Sequence, residues 1–368
     1  MKYLRFILLS ITIFVITGCS YNNQDFTVCN PDTNQVKHYC MIGDKHYFDL
    51  NVMSENGTMN KIAGNIPYGN PWNANIYSIA TDGEYLYCHT FNLQTKEDIA
   101  HERKLGLYKI DVENNIITPL HEWEFPKNGS INHYSITFEG EYVYFFISNG
   151  TANDICRIKK DGTEFEQLTN NQGSVYSGLF FVDGNVYYHK DNNLYITTLD
   201  NLDSGELFYE NLYTIELYNG YFYCTTYDDN KEFIRIKTDD PKNVEVLIDD
   251  MHADCYMIKN DVIYYAKYDP IVLVTNSQGL QMINPTQGQL YSYDLKTNKN
   301  KKIFQHSEMS FNRLYNISGD SIIVEANTNT QLIASAEGNG VSIEYYIIPL
   351  DGGEVNLIKD LTLSLQGT

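Results

Sequence analysis

Histidines are the residues of this sequence best suited to acid–base or metal chemistry, and their spacing limits what they can do. Two His-Glu pairs occur, at 101–102 and 121–122, but neither is followed by the second histidine that completes an HExxH zinc site. The sequence also contains no GxSxG nucleophile elbow and no phosphate-binding loop. We therefore predict no catalytic residues and no cofactor, and the sequence alone does not specify a metal.

The first nineteen residues carry a more specific chemical signal. Lys2 and Arg5 introduce the apolar run 6–16, which is too short to span a bilayer and is typical of a secretory signal. The run ends in Ile-Thr-Gly-Cys at 16–19, which resembles the lipobox of bacterial lipoproteins. The resemblance implies that residues 1–18 are a signal peptide and that Cys19 carries lipid. We expect the lipid bilayer to be a partner through acylated Cys19 and the chain to lie on the extracytoplasmic side of the cell membrane.

Residues 19–35 are polar and rich in turn formers, which predicts a flexible tether before a single domain at 36–368. Six further cysteines follow, and an even number in an exported chain allows disulfides with fifteen pairings. Sequence proximity favours a Cys29–Cys40 pair. The cysteines inside strand-like runs are instead expected to be buried thiols; they are Cys88, Cys156 and Cys224.

Charge and composition exclude one class of partner. The chain is 43% hydrophobic and carries a formal net charge of −21, and no stretch gathers Lys or Arg into a basic stripe. An acidic globule would repel phosphate backbones, so we predict no nucleic-acid partner.

The strands that must position any site repeat along the chain. In the stretch 136–169, apolar and aromatic residues alternate with polar ones around two hairpin turns, at Glu139-Gly140 and Asp161-Gly162. Weaker copies of the first turn recur at Gly43, Gly83, Gly184, Gly220, Asn260 and Gly319. The seven turns lie roughly 40 to 60 residues apart, which is typical of four-stranded propeller blades with insertions. No useful window shows the 3.6-residue period of a helical repeat.

Residues 157–169, RIKKDGTEFEQLT, resemble the TolB-type propeller repeat. The whole body is similar to bacterial lipoprotein propellers of unknown function that are related to the YWTD propellers of the LDL receptor. The resemblance implies an all-β fold, a β-propeller of four-stranded blades. Seven turns favour seven blades, and six or eight also fit because the first copy has a short second half.

Long loops concentrate on one arc of the predicted propeller, which suggests a recognition surface. They are the insertions 90–104, 269–289 and 326–340 and the connections 66–75 and 121–132. Exposed aromatic residues are common binding anchors. The predicted binding face comprises Tyr68, Trp72, Trp123, Tyr268, Leu280 and Met282.

The family resemblance also implies a second location for a site. Some TolB-like propellers are polysaccharide lyases that hold a metal with histidines at the mouth of the channel. The residues that match this position are His133, His252, Asp254 and Arg313. We expect a lipid-anchored, non-enzymatic module that binds a protein or a glycan, or acts as a scaffold, at the cell envelope. The alternative is a carbohydrate-binding or polysaccharide-cleaving propeller.

Overall fold

The computed structural model describes residues 39–42, 45–48, 51–53, 59–61, 76–92, 104–114, 116–124, 135–148, 152–170, 176–227, 232–249, 255–267, 272–275, 281–284, 288–306, 310–318, 320–327, 342–351, 353–357 and 363–364. These residues are mostly in β-strands, and the helical segment among them is a 3-10 helix at Leu199–Ser204. None of the described helical segments has the length and apolar character needed to cross a membrane.

Six four-stranded antiparallel sheets and one five-stranded sheet follow one another along the described chain. Sheet 1 contains β1 (Tyr39–Ile42), β2 (Lys45–Phe48), β3 (Asn51–Met53) and β4 (Met59–Lys61). Sheet 2 contains β5 (Ile76–Thr81), β6 (Leu86–Asn92), β7 (Lys104–Asp111) and β8 (Ile116–Glu124). Sheet 3 contains β9 (Thr137–Glu139), β10 (Tyr142–Ser148), β11 (Asn153–Lys159) and β12 (Glu166–Gln167). Sheet 4 contains β13 (Tyr176–Val182), β14 (Asn185–Lys190), β15 (Asn193–Thr197) and β16 (Glu206–Tyr209).

The insertion in the sixth repeat forms a hairpin of its own. Sheet 5 contains β17 (Leu212–Tyr218), β18 (Tyr221–Thr226), β19 (Phe233–Lys237) and β20 (Asp240–Ile248). Sheet 6 contains β21 (Tyr256–Lys259), β22 (Val262–Lys267), β25 (Gly288–Asp294) and β26 (Lys299–His306), with the separate hairpin β23 (Val272–Thr275) and β24 (Gln281–Asn284) inserted between β22 and β25. Sheet 7 contains β27 (Ser310–Ser318), β28 (Ser321–Asn327), β29 (Ser342–Pro349) and β30 (Asn356–Leu357), and β31 (Leu363–Ser364) pairs with β29.

Each sheet is a meander in which every strand pairs with the next strand of its repeat. The first turn of the repeat needs a left-handed backbone, and Gly140 supplies it with φ of 57°. In sheet 6 the same turn is made by Asn260 and Asp261, with φ of 52° and 60°. Asn and Asp tolerate this region better than other residues with a Cβ. The predicted all-β class, built from four-stranded antiparallel units, is confirmed.

The core is divided among the interfaces between consecutive sheets. Strands have two faces, and each described sheet from the second to the seventh buries apolar residues against its neighbours. Five clusters fill these interfaces, represented by Leu107 and Phe145, Phe146 and Leu179, Tyr187 and Phe222, Phe233 and Tyr265, and Met257 and Val324. First strands of different sheets also lie close together, as β1 does with β5, β9 with β13 and β21 with β27. The first strands are therefore the inner strands.

The outermost strands carry most of the exposed apolar side chains. Seven large hydrophobic residues are exposed in the described chain, and six of them lie on or directly beside the fourth strand of a sheet: Ile116, Phe165, Leu207, Val244, Val246 and Leu357. Sheet 6 differs, because its outer strand β26 carries exposed lysines instead. Lysines on an edge strand discourage pairing with another chain.

The cysteines inside strands are buried, as predicted for Cys88, Cys156 and Cys224. Burial raises the pKa of the Cys156 and Cys224 thiols, so both stay protonated and pack as small apolar groups. The predicted signal peptide, the tether, Cys19 and Cys29 lie outside the described residues, as does the side chain of Cys40. The Cys29–Cys40 pairing stays a prediction.

Candidate functional site

Four inner strands contain a β-bulge at the same place in the repeat. In each of them one residue is inserted near the start of the first strand, so that two residues face one on the second strand. The inserted residues are Tyr77 in sheet 2, Ser177 in sheet 4, Tyr213 in sheet 5 and Asn312 in sheet 7. Bulges redirect side chains and are common near functional sites.

A buried polar residue of the second strand stands opposite the inner strand next to every one of these bulges. The four residues are His89, His189, Thr225 and Glu325, with exposures of 0%, 1%, 3% and 6%. We call the four inserted residues and these four partners the bulge layer. Because the first strand begins and the second strand ends there, the layer lies at one end of the sheets.

His189 connects two neighbouring bulges. Its Nδ1 atom lies 2.7 Å from the Ser177 hydroxyl, and its Nε2 atom lies 3.2 Å from the Leu212 carbonyl oxygen of the next sheet. The carbonyl can only accept, so Nε2 carries the proton and the serine hydroxyl donates to Nδ1. Burial lowers the pKa of His189 to about 4, which keeps the ring neutral. The pair holds Leu212 in place, directly before the bulge at Tyr213.

Asn153 makes the corresponding link between sheets 3 and 4. Its Nδ2 atom donates to the Tyr176 carbonyl oxygen at 2.7 Å, and its Oδ1 atom accepts from the Tyr176 N–H at 2.6 Å. Asn153 is 1% exposed. In sheets 4 and 5, the residue before the bulge is therefore held by a buried side chain of the preceding sheet.

His89 occupies the same position in sheet 2 with different surroundings. Its ring contacts Trp123 and Phe145 edge-on, with centroid distances of 5.7 Å in both cases. Burial lowers its pKa to about 3, so the imidazole is neutral at ordinary pH. A fully buried neutral ring packed against aromatic groups belongs to the core.

In sheet 5 an exposed aromatic side chain lies beside the bulge layer. Tyr227 follows β18 and is 60% exposed, and its ring centroid lies 5.9 Å from that of the bulge residue Tyr213. The Tyr227 N–H donates to the Asn211 carbonyl oxygen at 2.7 Å. Behind the rings, Thr214 and Thr225 share a hydrogen bond of 2.7 Å. The two tyrosines thus form a supported pair that can bind a flat or cationic group.

The opposite end of the sheets carries charged contacts between neighbours. Asp261 of sheet 6 bonds Lys296 at 2.7 Å and accepts hydrogen bonds from the Tyr218 hydroxyl and from Asn219 of sheet 5. The Lys296 ammonium holds the pKa of Asp261 below its ordinary value. Among the described residues, no group of three His, Cys, Asp or Glu side chains could hold a metal ion.

The structure places only part of the predicted binding face. Trp123 lies in β8 opposite Leu105 and is partly buried, so its predicted location in a connection between sheets is wrong. Met282 lies in β24, and its side chain is outside the described residues. Four residues lie wholly outside the description: Tyr68, Trp72, Tyr268 and Leu280. The binding role of this face stays a prediction.

Of the predicted channel-mouth residues, only the backbone of Arg313 is described. It pairs with Glu325 beside the bulge of sheet 7, so this residue adjoins the bulge layer. The structure does not describe His133, His252 or Asp254. Sequence reasoning missed the layer itself. The available signal was a polar residue five or six positions after the turn glycine, as in His89, His189 and Thr225.

Comparisons with known proteins identify the fold only. No protein-family model and no curated protein matches the sequence. Among solved structures, the chain is similar to a prolyl endopeptidase, with 10% identity and a TM-score of 0.55 over 89% of this chain and 50% of that one. It is also similar to an uncharacterized protein from Listeria monocytogenes, with 8% identity and a TM-score of 0.49 over 91% of this chain and 94% of that one. For the tricorn protease the identity is 8% and the TM-score 0.47, over 89% and 43% of the two chains.

The chain spans about half the length of the prolyl endopeptidase that it matches. That protein is of the propeller type, and the sequential four-stranded sheets of this chain have the arrangement of propeller blades. At 10% identity the similarity concerns the fold and gives no information on activity. The chain has a propeller-like, all-β fold.

Proposed function

We propose that this chain is a seven-bladed, lipid-anchored propeller that works as a non-enzymatic protein-binding module on the extracytoplasmic side of the membrane. Seven consecutive sheets support the blade count. The resemblance of residues 16–19 to a lipobox supports the anchor. Ring closure would cover both faces of every sheet, which a single twisted sheet cannot achieve.

The binding role rests on a difference between two residue pairs at the bulge layer: Ser177–His189 is buried, and Tyr213–Tyr227 includes an exposed ring. Ser177 and His189 have the atom types of a nucleophile and its base, but both are buried and His189 donates to a backbone carbonyl. A nucleophile must reach a substrate, and both of these side chains are buried. This pair therefore acts as a structural link. Beside the layer, the exposed ring of Tyr227 contacts the half-buried Tyr213, and this pair suits binding.

The binding role is tested by crosslinking in intact cells with the full chain and the Tyr227→Ala variant. We expect the variant to lose a crosslinked partner while its melting temperature stays within about 2 °C, because Tyr227 is exposed. Leu207→Ala, at an exposed site on an outer strand, is the matched control and should keep the partner. An unchanged crosslinking pattern in the tyrosine variant would remove the binding role from this site.

The anchor is tested separately by Cys19→Ala. A chain whose only membrane attachment is acylated Cys19 should move from the membrane fraction to the soluble fraction when the sulfur is removed. Wild-type protein labelled with a radioactive fatty acid should carry the label, and the variant should not. Membrane retention of the unlabelled variant would contradict lipid anchoring.

A further inference from the structure

One outer strand of the described chain is basic although the protein is acidic. The strand β26 carries the exposed residues Lys299, Lys301 and Lys302 and no acidic residue. The other described outer strands carry at most one lysine each and no arginine, whereas β8 carries two glutamates and β20 an aspartate and a glutamate. The segment 296–302 is therefore the exception to the lack of basic stretches in a chain with a formal net charge of −21.

The charges of these three lysines are not neutralised by ion pairs. Among the ion pairs that the described residues form, none includes Lys299, Lys301 or Lys302. The Lys302 ammonium donates to the neutral amide oxygen of Gln305 at 2.8 Å. Asp294 pairs with Lys299 across the strands, and its Oδ1 atom accepts from two backbone N–H groups of the turn, at 2.9 Å and 2.8 Å. β26 therefore presents three positive charges to solvent.

The basic strand lies away from the bulge layer in two directions. Asp294 pairs with Lys299 on one side and with Val262, directly after the first turn, on the other. Lys299 thus lies at the first-turn end of sheet 6, which is opposite to the end where the neighbouring sheets carry the bulge layer. β26 is also an outermost strand, whereas the layer belongs to first and second strands. A surface that binds the lysines would leave the layer directed away from it.

We propose that Lys299, Lys301 and Lys302 bind anionic lipid headgroups of the bilayer to which the chain is anchored, and so orient the domain. The inference rests on the lipid anchor of the proposed function and specifies which side of the domain contacts the membrane. Each lysine near an anionic surface strengthens binding roughly fivefold. The acidic remainder of the chain is repelled by the same surface.

The anchor alone would not set this orientation. A flexible tether over residues 19–35 has a root-mean-square span of about 20–25 Å, which allows the domain to turn relative to the bilayer. Contact through β26 would remove this freedom and present the exposed Tyr227, beside the bulge layer, to a partner on the far side.

The test measures acetylation of single lysines in the acylated protein after reconstitution into vesicles. One kind of vesicle contains phosphatidylcholine alone, and the other roughly two parts phosphatidylcholine to one part phosphatidylglycerol. The acetylating reagent is uncharged, and mass spectrometry quantifies each lysine. At about 0.15 M salt, labelling of Lys299, Lys301 and Lys302 should fall at least about threefold in the anionic vesicles. Lys242, exposed on the outer strand of sheet 5, should change by less than about 1.5-fold, and about 1 M salt should abolish the protection.

Two variants keep Lys299 as the reporter of binding. Lys301→Gln/Lys302→Gln removes two charges and should reduce the protection of Lys299 to less than about 1.5-fold. Lys301→Arg/Lys302→Arg keeps the charges and should retain the protection. Lys242→Gln removes a charge from another outer strand and should also retain it. All the replaced side chains are exposed, so melting temperatures should stay within about 2 °C of wild type.

Several outcomes would overturn the inference. Equal labelling of the three lysines in both kinds of vesicle would show that β26 does not contact the lipid. An equal fall at Lys242 would assign the effect to the anionic surface in general. Protection by soluble polyphosphate added to neutral vesicles, without protection by the anionic vesicles, would assign the strand to an anionic polymer. If acylated protein loses its crosslinked partner on Tyr227→Ala but shows equal lysine labelling, the proposed function stands and this inference fails.

Discussion

The bulge layer and the outermost strands use polar side chains in opposite ways. In the layer, His189 is buried and bonds the backbone of the next sheet, and beside the layer the buried Asn153 of sheet 3 does the same. Between the third strand and the outermost strand, Arg157 bonds Glu166 in sheet 3 and Arg235 bonds Glu245 in sheet 5, each at 2.6 Å and with partial exposure. One set fixes sheets relative to each other, and the other set ties strands within one sheet.

This difference predicts which substitutions lower the free energy of unfolding. A buried hydrogen bond leaves an unsatisfied backbone group when its partner is removed, whereas a half-exposed ion pair is replaced by water. Substitutions of the buried links at the bulge layer should therefore lower the free energy of unfolding strongly. The same links should hold the Tyr213–Tyr227 pair in a fixed position. Substitutions of the exposed ion pairs on the outer strands should change the free energy of unfolding little.

The largest effect is expected for Asn153→Ala. The substitution removes both hydrogen bonds to Tyr176 and leaves a buried N–H and a buried carbonyl without a partner from this side chain. We expect a loss of about 2–4 kcal/mol in the free energy of unfolding, measured by urea denaturation. Glu166→Gln, an exposed change in the same sheet, is the control and should cost less than about 1 kcal/mol. Equal losses would abolish the distinction between the two regions.

The pH dependence of stability tests the buried histidine. His189 has a folded-state pKa of about 4, below the value near 6.5 of an unfolded histidine. Below pH 6.5 the unfolded chain binds the proton that the folded chain does not, so this contribution to stability is present above pH 6.5 and is lost as the pH falls towards 4. The slope reaches about 1.4 kcal/mol per pH unit.

His189→Gln isolates this contribution, because glutamine does not titrate and the other groups of the chain are retained. The difference in unfolding free energy between the two proteins should change in favour of the variant by up to about 3 kcal/mol from pH 7 to pH 4. Urea denaturation at half-unit intervals of pH measures it. Parallel profiles would mean that the pKa of His189 is the same in the folded and the unfolded protein.

A double-mutant cycle measures how much an exposed ion pair contributes to stability. Arg235→Met and Glu245→Gln, singly and together, should give a coupling free energy of about 0.3–1 kcal/mol, because the side chains are 22% and 43% exposed. The coupling should fall when the salt concentration is raised from 0.05 M to about 1 M, since screening acts on exposed charges. A coupling above about 2 kcal/mol that is insensitive to salt would place this pair with the buried contacts.

The repeated strands were predictable from sequence because their signals are local. In residues 136–169, a turn glycine and alternating aromatic residues define β9 to β12 without reference to the rest of the chain. The alternation also continues through residues 121–123, so the predicted connection at 121–132 begins too early. This segment is the end of β8, and the Trp123 ring packs on His89.

The bulge layer was not predictable because its determinants are far apart in sequence. An inserted residue near the start of a strand reads as part of the preceding loop, as Ser177 and Tyr213 do. Asn153 bonds Tyr176 across 23 residues, and His189 bonds Leu212 across 23 residues. These partners can be named only when the order and register of the sheets are known.

The smallest effect on folding is expected on the outer strands. Substitutions there should change self-association instead. Val246 of β20 is 47% exposed, and Val246→Lys should change the free energy of unfolding by less than about 0.5 kcal/mol. A lysine on an edge strand opposes pairing with a second chain, so the variant should self-associate less at high concentration in sedimentation velocity. The reciprocal change, Lys301→Val on β26, removes one of the lysines that distinguish sheet 6 and should increase self-association. If both variants sediment as the wild type does, the exposed apolar residues of the outer strands have no role in self-association.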